Sequence, residues 1–107
     1  MMIINQPKED HFKLGLLVVT NLVTVWADRT LKNHRDLDKC LKKYCEKDWG
    51  DADEEDKKLT NAAINNGGRI MGVYKNVGSE ATDDVRDLWI ITECDRSVTT
   101  ILFPEEY

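Results

Sequence analysis

The sequence is poor in the residues on which several kinds of chemistry depend. Its 107 residues include two prolines, two histidines and three cysteines, an odd number without paired spacing that argues against a disulfide framework. No apolar run approaches the roughly 20 residues of a transmembrane helix. The start, MMIINQPKED, lacks the basic and then apolar segments of a signal peptide. We therefore expect a cytoplasmic protein with one domain over residues 1–107, of which residues 1–11 are flexible.

The scarcity of serine and histidine also limits catalysis. The two serines lie outside any Gly-x-Ser-x-Gly turn. A Cys94–His34 pair stays open as a nucleophile and base, although we expect the hairpin thiol to be buried. Cys40 and Cys45 lie about 140° apart around a helix, with no histidine at ligand spacing, which argues against zinc. We predict no enzyme, no metal and no cofactor.

Charge is unevenly distributed along the chain. The net charge is −5, and residues 48–56 carry six carboxylates and no base. The preceding residues, 29–47, hold seven bases against three acids. Such polarity is a hint about partners rather than about the fold.

The hydrophobic pattern predicts an α+β domain, with an antiparallel sheet of about four strands packed against two helices. Residues 12–20 form an apolar, β-branched run typical of a buried strand. Residues 21–31 fit either a continuation of that strand or a short helix, and we favour a short helix or a turn. Residues 69–74 predict a further strand. Residues 75–86 are polar and without periodicity, so we expect them to be the most mobile loop.

An amphipathic helix is predicted from Asn33, which we place at its N-cap. Its buried face repeats at helical spacing through Leu37, Cys40, Leu41 and Tyr44. The exposed side is basic and consists of Arg35, Lys39, Lys42, Lys43 and Lys47.

Local physics explains much of the acidic run. Asp51 is a candidate N-cap for a helix over residues 52–65, and carboxylates are favoured in a first turn by the unpaired N–H groups and the helix dipole. Leu59, Ala62 and Ala63 supply its apolar stripe. An EF-hand loop is excluded because the twelfth residue from Asp51 is Ala62, where a glutamate is needed. A surface that imitates nucleic-acid charge stays open.

The last third of the chain predicts a β-hairpin. Its register pairs Trp89 with Leu102 and Thr92 with Thr99, and opposed apolar and Thr–Thr partners stabilise sheets. Both faces are apolar near the middle, so the hairpin is expected in the interior of the sheet. Pro104 ends its second strand.

Three segments, DWGDADEED, NGGRIMGVY and LWIITECDRSVTTILFPEEY, together resemble a family of small proteins from bacterial plasmids, conjugative elements and phages. These proteins are often labelled "type I restriction endonuclease subunit M" or "plasmid-related protein", and the resemblance covers residues 12–107. Family members often have His and Gly before Asp-Trp-Gly, where this chain has Glu46 and Lys47, so a histidine-dependent role is not expected there.

The family label implies a methyltransferase subunit, which this chain does not match. Such a subunit needs a doubly wound sheet and a Pro-Pro-Tyr/Phe segment, whereas the only prolines here are Pro7 and Pro104. The resemblance therefore implies a mobile-element accessory protein rather than a particular active site.

We predict a non-enzymatic accessory protein of a mobile element that binds another protein. The candidate partner is a host defence nuclease complex, which implies an anti-CRISPR or anti-restriction role, and neither a membrane nor direct nucleic-acid binding is expected. The predicted contact residues are Asp48, Trp49, Asp51, Asp53, Glu54, Glu55, Asp56, Asp95, Arg96, Glu105, Glu106 and Tyr107.

Two alternatives from other classes stay open. One is a divalent-cation-dependent hydrolase or nuclease that uses Asp48, Asp51, Glu93 and Asp95 as ligands. The other is a nucleic-acid-associated regulator that uses the basic helix over residues 35–47.

Overall fold

The computed structural model describes residues 7–107. In this range the chain forms three α-helices, four β-strands and a short 3-10 helix. In chain order the elements are β1 (Leu16–Val19), α1 (Asn21–Arg29), α2 (Leu31–Cys45), α3 (Glu54–Asn66), β2 (Ile70–Val77), β3 (Arg86–Thr92), β4 (Val98–Leu102) and the 3-10 helix (Pro104–Glu106). The predicted α+β class is confirmed. The short helix favoured for residues 21–31 is present as α1, so the predicted number of two helices packed on the sheet is wrong.

The segment predicted to be flexible is only partly described. Residues 1–6 lie outside the described residues. Residues 7–11 form no helix or strand, and the Glu9 carboxylate accepts a hydrogen bond from the backbone N–H of Leu14 at 3.1 Å.

The four strands form one mixed sheet in the order β1-β4-β3-β2. β2, β3 and β4 are antiparallel neighbours, whereas β1 runs parallel to β4, in a register from Leu16 opposite Val98 to Val19 opposite Ile101. The prediction of a fully antiparallel sheet is therefore wrong for this pair. Three helices separate β1 from β2, and this long connection lets β1 reach the far edge of the sheet in the direction of β4.

The position of β1 at an edge also corrects its predicted burial. Leu17 and Val19 pack against the core, but Leu16 is 67% exposed and Val18 is 36% exposed. Successive side chains of a strand point to opposite faces, so these two residues lie on the sheet face opposite the core.

The hairpin formed by β3 and β4 has the predicted register. Trp89 lies opposite Leu102 and Thr92 lies opposite Thr99. The two threonine hydroxyls are 2.7 Å apart in the core, and the Tyr44 hydroxyl lies 2.7 Å from that of Thr92. The interior position of both strands is confirmed by the strand order.

The core lies between one face of the sheet and the helices. Its largest fully buried side chains include Leu41 and Tyr44 from α2, Ile90 from β3 and Ile101 from β4. The predicted buried face of α2 is confirmed, because Leu37, Cys40, Leu41 and Tyr44 are all in this core.

Asn33 is not the N-cap of α2, which corrects the prediction. Thr30 caps the helix, and its hydroxyl oxygen accepts a hydrogen bond from the backbone N–H of Asn33 at 3.0 Å. The Asn33 side chain is instead fully buried. Its Nδ2 donates to the carbonyl oxygen of Trp26, and its Oδ1 accepts from the backbone N–H of Ser79, both at 2.8 Å.

The loop predicted to be mobile is held against α1 and α2. β2 extends to Val77, so the loop is shorter than predicted and covers residues 78–85. The backbone N–H of Gly78 donates to Asp36 at 2.8 Å, and the indole N–H of Trp26 donates to the carbonyl oxygen of Asp84 at 2.6 Å. The buried indole N–H of Trp26 and the buried side chain of Asn33 both find hydrogen-bond partners in this loop.

Candidate functional site

The start of the acidic run closes the outer edge of the sheet. The backbone N–H of Val73 donates to the carbonyl oxygen of Trp49 at 3.1 Å, and that of Asp51 donates to the carbonyl oxygen of Val73 at 2.6 Å. The Asp51 carboxylate then accepts from the backbone N–H of Lys75 at 2.8 Å. Asp51 is therefore not the helix cap that the sequence predicted. It supplies β2 with a hydrogen-bond partner that a further strand would otherwise provide.

Trp49 is a core residue, which corrects its prediction as a contact residue. Only 2% of Trp49 is exposed, and its ring packs against that of Tyr44 with centroids 5.4 Å apart. The indole N–H donates to the side-chain oxygen of Asn61 in α3 at 2.8 Å. Trp49 thus joins α2, α3 and the edge of β2, and no partner reaches it without rearrangement.

Asp48 is exposed but serves the same turn. Its carboxylate accepts from the backbone N–H of Gly50 at 3.0 Å, and its carbonyl oxygen accepts from the Tyr74 hydroxyl at 2.8 Å. The polar groups of the Asp-Trp-Gly-Asp segment described above therefore all form hydrogen bonds that stabilise the fold.

The remaining carboxylates begin α3, as predicted, but with a cap two residues later. Asp53 is the N-cap, and its carboxylate accepts from the backbone N–H of Asp56 at 2.8 Å. Glu54, Glu55 and Asp56 fill the first turn and are exposed. Gly67 ends the helix in the left-handed conformation, as the NNGG sequence predicted.

One of these acids, Glu55, lies beside an exposed apolar residue of α3. Of the predicted apolar stripe only Ala63 is buried, whereas Leu59 is 64% exposed and Ala62 is also exposed. Glu55 and Leu59 are four residues apart, so they lie on the same side of the helix. Glu54 lies about 140° from Leu59 around the helix at about 100° per residue, and the exposed Lys58 lies between them. We call the exposed group Glu54, Glu55, Asp56 and Leu59 at the start of α3 the acidic face.

The turn between β3 and β4 has a structural role in the fold. The Asp95 carboxylate accepts from the backbone N–H of Ser97 at 3.0 Å. Hydrogen bonding from the Ser97 side chain, and after it from this backbone N–H, lowers the pKa of Asp95. The Arg96 guanidinium donates to the carbonyl oxygens of Ala63 and Gly68, at 2.8 and 2.7 Å. Both side chains are thus occupied locally, and Arg96 is fixed against the end of α3.

The C-terminal residues are also bonded to the domain. Glu106 accepts from the Thr20 hydroxyl at 2.9 Å and from the backbone N–H of Phe103 at 2.8 Å. Glu105 pairs with the guanidinium of Arg86.

Tyr107 lies on the face of the sheet opposite the core. Its ring centroid is 5.6 Å from that of Trp89, and the guanidinium of Arg69 lies 5.2 Å from the Tyr107 ring centroid. Tyr107 remains 67% exposed, so it is the C-terminal residue most accessible to a partner.

The four carboxylates of the hydrolase alternative do not converge. Asp51 is fixed on Lys75, whereas Glu93 lies 3.7 Å from Arg69. The partner residues Arg69 and Lys75 are six residues apart along one extended segment, which is about 20 Å at about 3.3 Å per residue. Within residues 7–107 no group of three or more His, Cys, Asp or Glu side chains is placed to hold a metal ion.

The thiols differ in accessibility. Burial raises the pKa of Cys40 to about 12 and that of Cys45 to about 11. Cys94 is exposed, so the expectation that the hairpin thiol is buried is wrong.

Two surface features were missed from the sequence. One is the acidic face itself, whose apolar member, Leu59, was assigned to the core. The other is a groove of about 380 Å³ between residues 7–11 and α2, lined by Pro7, Lys8, Asp10, His11, Asp38, Lys39, Lys42, Cys45 and Glu46. The run of lysines on α2 pointed to its charged wall, but nothing in the sequence indicated that residues 7–11 pack beside it.

Comparison of the chain with protein-family models, curated proteins and solved structures finds no match. None of the helices within residues 7–107 has the length and apolar character needed to cross a membrane.

Proposed function

We propose that the protein acts without catalysis, by binding another protein through the acidic face of α3. It is a mobile-element accessory factor in this proposal, as its resemblance to plasmid and phage proteins implies. The candidate partner is a host defence nuclease complex of the CRISPR or restriction type.

The observation that carries the proposal is the state of the side chains on the acidic face. Asp48, Asp51 and Asp53 are used to build the edge and the cap. Among residues 7–107, by contrast, Glu55 and Asp56 have no side-chain hydrogen bond or ion pair, and Glu54 has only a contact to Lys57 at 3.7 Å. The fold therefore leaves these carboxylates available.

The exposed side chain of Leu59 gives the acidic face an apolar group that a partner protein can bury. Exposed charges mainly steer an encounter and set its specificity, whereas affinity comes from apolar groups that are desolvated at the centre of an interface. Fully burying a leucine is worth roughly 1.5–3 kcal/mol. A partner that fits this surface presents basic side chains around an apolar pocket.

A nuclease complex meets the first of these requirements. Surfaces that hold nucleic acid are rich in lysine and arginine, because they neutralise phosphates. Entry of the acidic face into such a surface would compete with the nucleic acid for the same cations. No arrangement of described residues favours the hydrolase alternative over this proposal.

The test is a pull-down with the tagged protein from lysate of a bacterium with active restriction and CRISPR systems, followed by mass spectrometry. The variant Glu54→Lys/Glu55→Lys reverses the acidic face and leaves Asp53 as the cap. The control Glu46→Lys/Glu80→Lys makes the same charge change at two exposed acids outside α3. A melting curve of each variant first confirms that it is folded.

We expect a defence-complex subunit to be retained by the wild type and the control and lost from the acidic-face variant. DNA cleavage by the purified complex should then fall as wild-type protein is added. Equal recovery by all three proteins, or cleavage that is indifferent to the protein, would contradict the proposal.

A further inference from the structure

The exposed side of α2 and the residues just after it carry five cations that no described carboxylate pairs with. Arg35, Lys39, Lys42 and Lys43 lie on the helix and Lys47 lies just beyond its end, and all five are exposed. None of them forms an ion pair with a carboxylate in the described range, 7–107. We call these five residues the basic stripe.

Within the part of the chain that the structure describes, the acids of α2 form no ion pair with a residue of the basic stripe. Asp36 pairs with Lys32 at 2.7 Å and accepts from the backbone N–H of Gly78 at 2.8 Å. Asp38 lies 3.6 Å from the imidazole of His34, and its Oδ1 is buried without a hydrogen-bond partner among the described residues. It lines the same groove as Lys39 and Lys42. Glu46 is the acid of this segment that remains exposed beside the stripe.

From this arrangement we infer that the basic stripe is a binding surface for the phosphate backbone of nucleic acid. It goes beyond the proposed function and does not rest on it, because α2 and the acidic face are separate surfaces. It takes up the alternative of nucleic-acid binding through residues 35–47, against the expectation from the acidic composition of the whole chain that direct nucleic-acid binding is absent.

The dimensions of the stripe suit a polyanion. At 1.5 Å per residue, Arg35 to Lys43 spans about 12 Å along the helix axis. Duplex DNA presents about seven phosphates over that length. The neighbouring groove adds Lys8 and His11 on its other wall, together with the acid Asp10.

The character of the surface favours nucleic acid over an acidic protein. Between residues 35 and 47 every exposed side chain is charged, and five of the six are cationic. Phosphate contacts need only such cations. Protein interfaces depend on aromatic or apolar anchors, which this part of α2 does not present.

The test is fluorescence anisotropy with a labelled duplex DNA of about 20 base pairs and mixed sequence, titrated between about 25 and 200 mM KCl. The variant is Lys39→Ala/Lys42→Ala. The control is Lys58→Ala/Lys75→Ala, which removes the same charge from exposed lysines elsewhere. Alanine is a good helix former, so both variants are expected to fold, and circular dichroism checks this.

For the wild type and the control we expect log K to fall with log salt at a slope of about −4, since each phosphate contact contributes about −0.9. The slope of the stripe variant should be about −2, and its affinity at low salt should be at least about tenfold weaker. The acidic-face variant Glu54→Lys/Glu55→Lys should retain binding, which separates failure of this inference from failure of the proposed function.

Three results would overturn the inference. One is the absence of any binding at the lowest salt concentration. Another is an equal loss of DNA affinity in the stripe variant and the control, which would mean that binding depends only on the net charge of the protein. The third is binding of polyglutamate but not DNA in a stripe-dependent manner, which would assign the surface to an acidic protein.

Discussion

The guanidinium of Arg96, in the turn between β3 and β4, donates a hydrogen bond to the carbonyl oxygen of Ala63 in the last turn of α3, at 2.8 Å. A second bond reaches the carbonyl oxygen of Gly68 at 2.7 Å. The Ala63 carbonyl oxygen also accepts from the backbone N–H of Gly67 at 3.1 Å, so Arg96 adds a charged donor to it. The last carbonyl groups of a helix carry the negative end of its dipole, and a cation is stabilising there. Because α3 buries little besides Thr60 and Ala63, the hairpin turn contributes to holding it in place.

We predict that Arg96→Ala lowers the free energy of unfolding by about 2 kcal/mol, because hydrogen bonds to charged groups are worth about 1.5–3 kcal/mol. Arg96→Gly should lose less, since Arg96 has a φ of 60° and glycine adopts that conformation without strain. Urea unfolding followed by tryptophan fluorescence measures both. A value for Arg96→Ala within about 0.5 kcal/mol of the wild type would show that the guanidinium contributes nothing to stability.

The same turn illustrates what the sequence can and cannot predict. The pairing of Trp89 with Leu102 was predictable because both strands and their turn are local, and a one-residue slip would move every side chain to the other face. The role of Arg96 was not, because its partners lie 28 and 33 residues away in another element. The sequence alone does not show whether a charged residue in a turn binds another protein or forms hydrogen bonds with the end of a helix in its own chain.

The acidic run was also only partly predictable from the sequence. The excess of carboxylates at the start of α3 was predictable from capping and the helix dipole. The burial of Trp49 and the exposure of Leu59 were not, because α3 lies beside β2 and turns only a narrow side inward. The exposed carboxylates of the candidate contact surface were therefore predictable from the sequence. Its apolar residues were not, because Trp49 is buried and Leu59 is exposed.

Gly50, in the segment that closes the sheet edge at β2, is predicted to tolerate no side chain without a large loss of stability. Its φ is 68°, and a Cβ there would lie 2.3 Å from the carbonyl oxygen of Val73. Gly67 offers a matched control, with a φ of 78° and nothing within 4 Å of a Cβ. Gly67→Ala should cost about 1 kcal/mol through backbone strain alone, and Gly50→Ala should cost about 1–3 kcal/mol more.

Thermal and urea unfolding of the two glycine variants compares these costs directly. Equal destabilisation of both would mean that the segment moves away from β2 at little cost. The closed sheet edge would then be less rigid than its hydrogen bonds indicate.

Asn33→Ala should destabilise the protein by about 2–4 kcal/mol. The substitution removes two buried hydrogen bonds and leaves the carbonyl oxygen of Trp26 and the backbone N–H of Ser79 without partners. Hydrogen exchange at Ser79 should accelerate, since its amide loses its acceptor. The exposed Asn65→Ala in α3 is the control and should stay within about 0.5 kcal/mol of the wild type. Unchanged exchange at Ser79 would show that the loop is held by other contacts.

Asp84 should make stability depend on pH in the acid range. Its pKa lies below the ordinary value because the Thr82 hydroxyl donates a hydrogen bond to it and the Arg29 guanidinium lies 2.8 Å away. The unfolded chain therefore takes up this proton at a higher pH than the folded chain does. The stabilisation is complete well above about pH 3.9, the ordinary value for aspartate, and is lost as the pH falls through the lower, folded pKa.

Asp84→Asn keeps the shape of the side chain and removes the titration. Between about pH 5 and pH 2 its free energy of unfolding should fall less steeply than that of the wild type, and the two curves should converge at the acid end. Asp10→Asn, at an exposed position in the segment before β1, should follow the wild-type curve. Urea unfolding at each pH gives the three curves. If the Asp84→Asn curve stayed parallel to the wild type over the whole range, the bonds from Thr82 and Arg29 would not favour the ionised carboxylate, and the anchoring of the loop would rest on Asn33 and Trp26 alone.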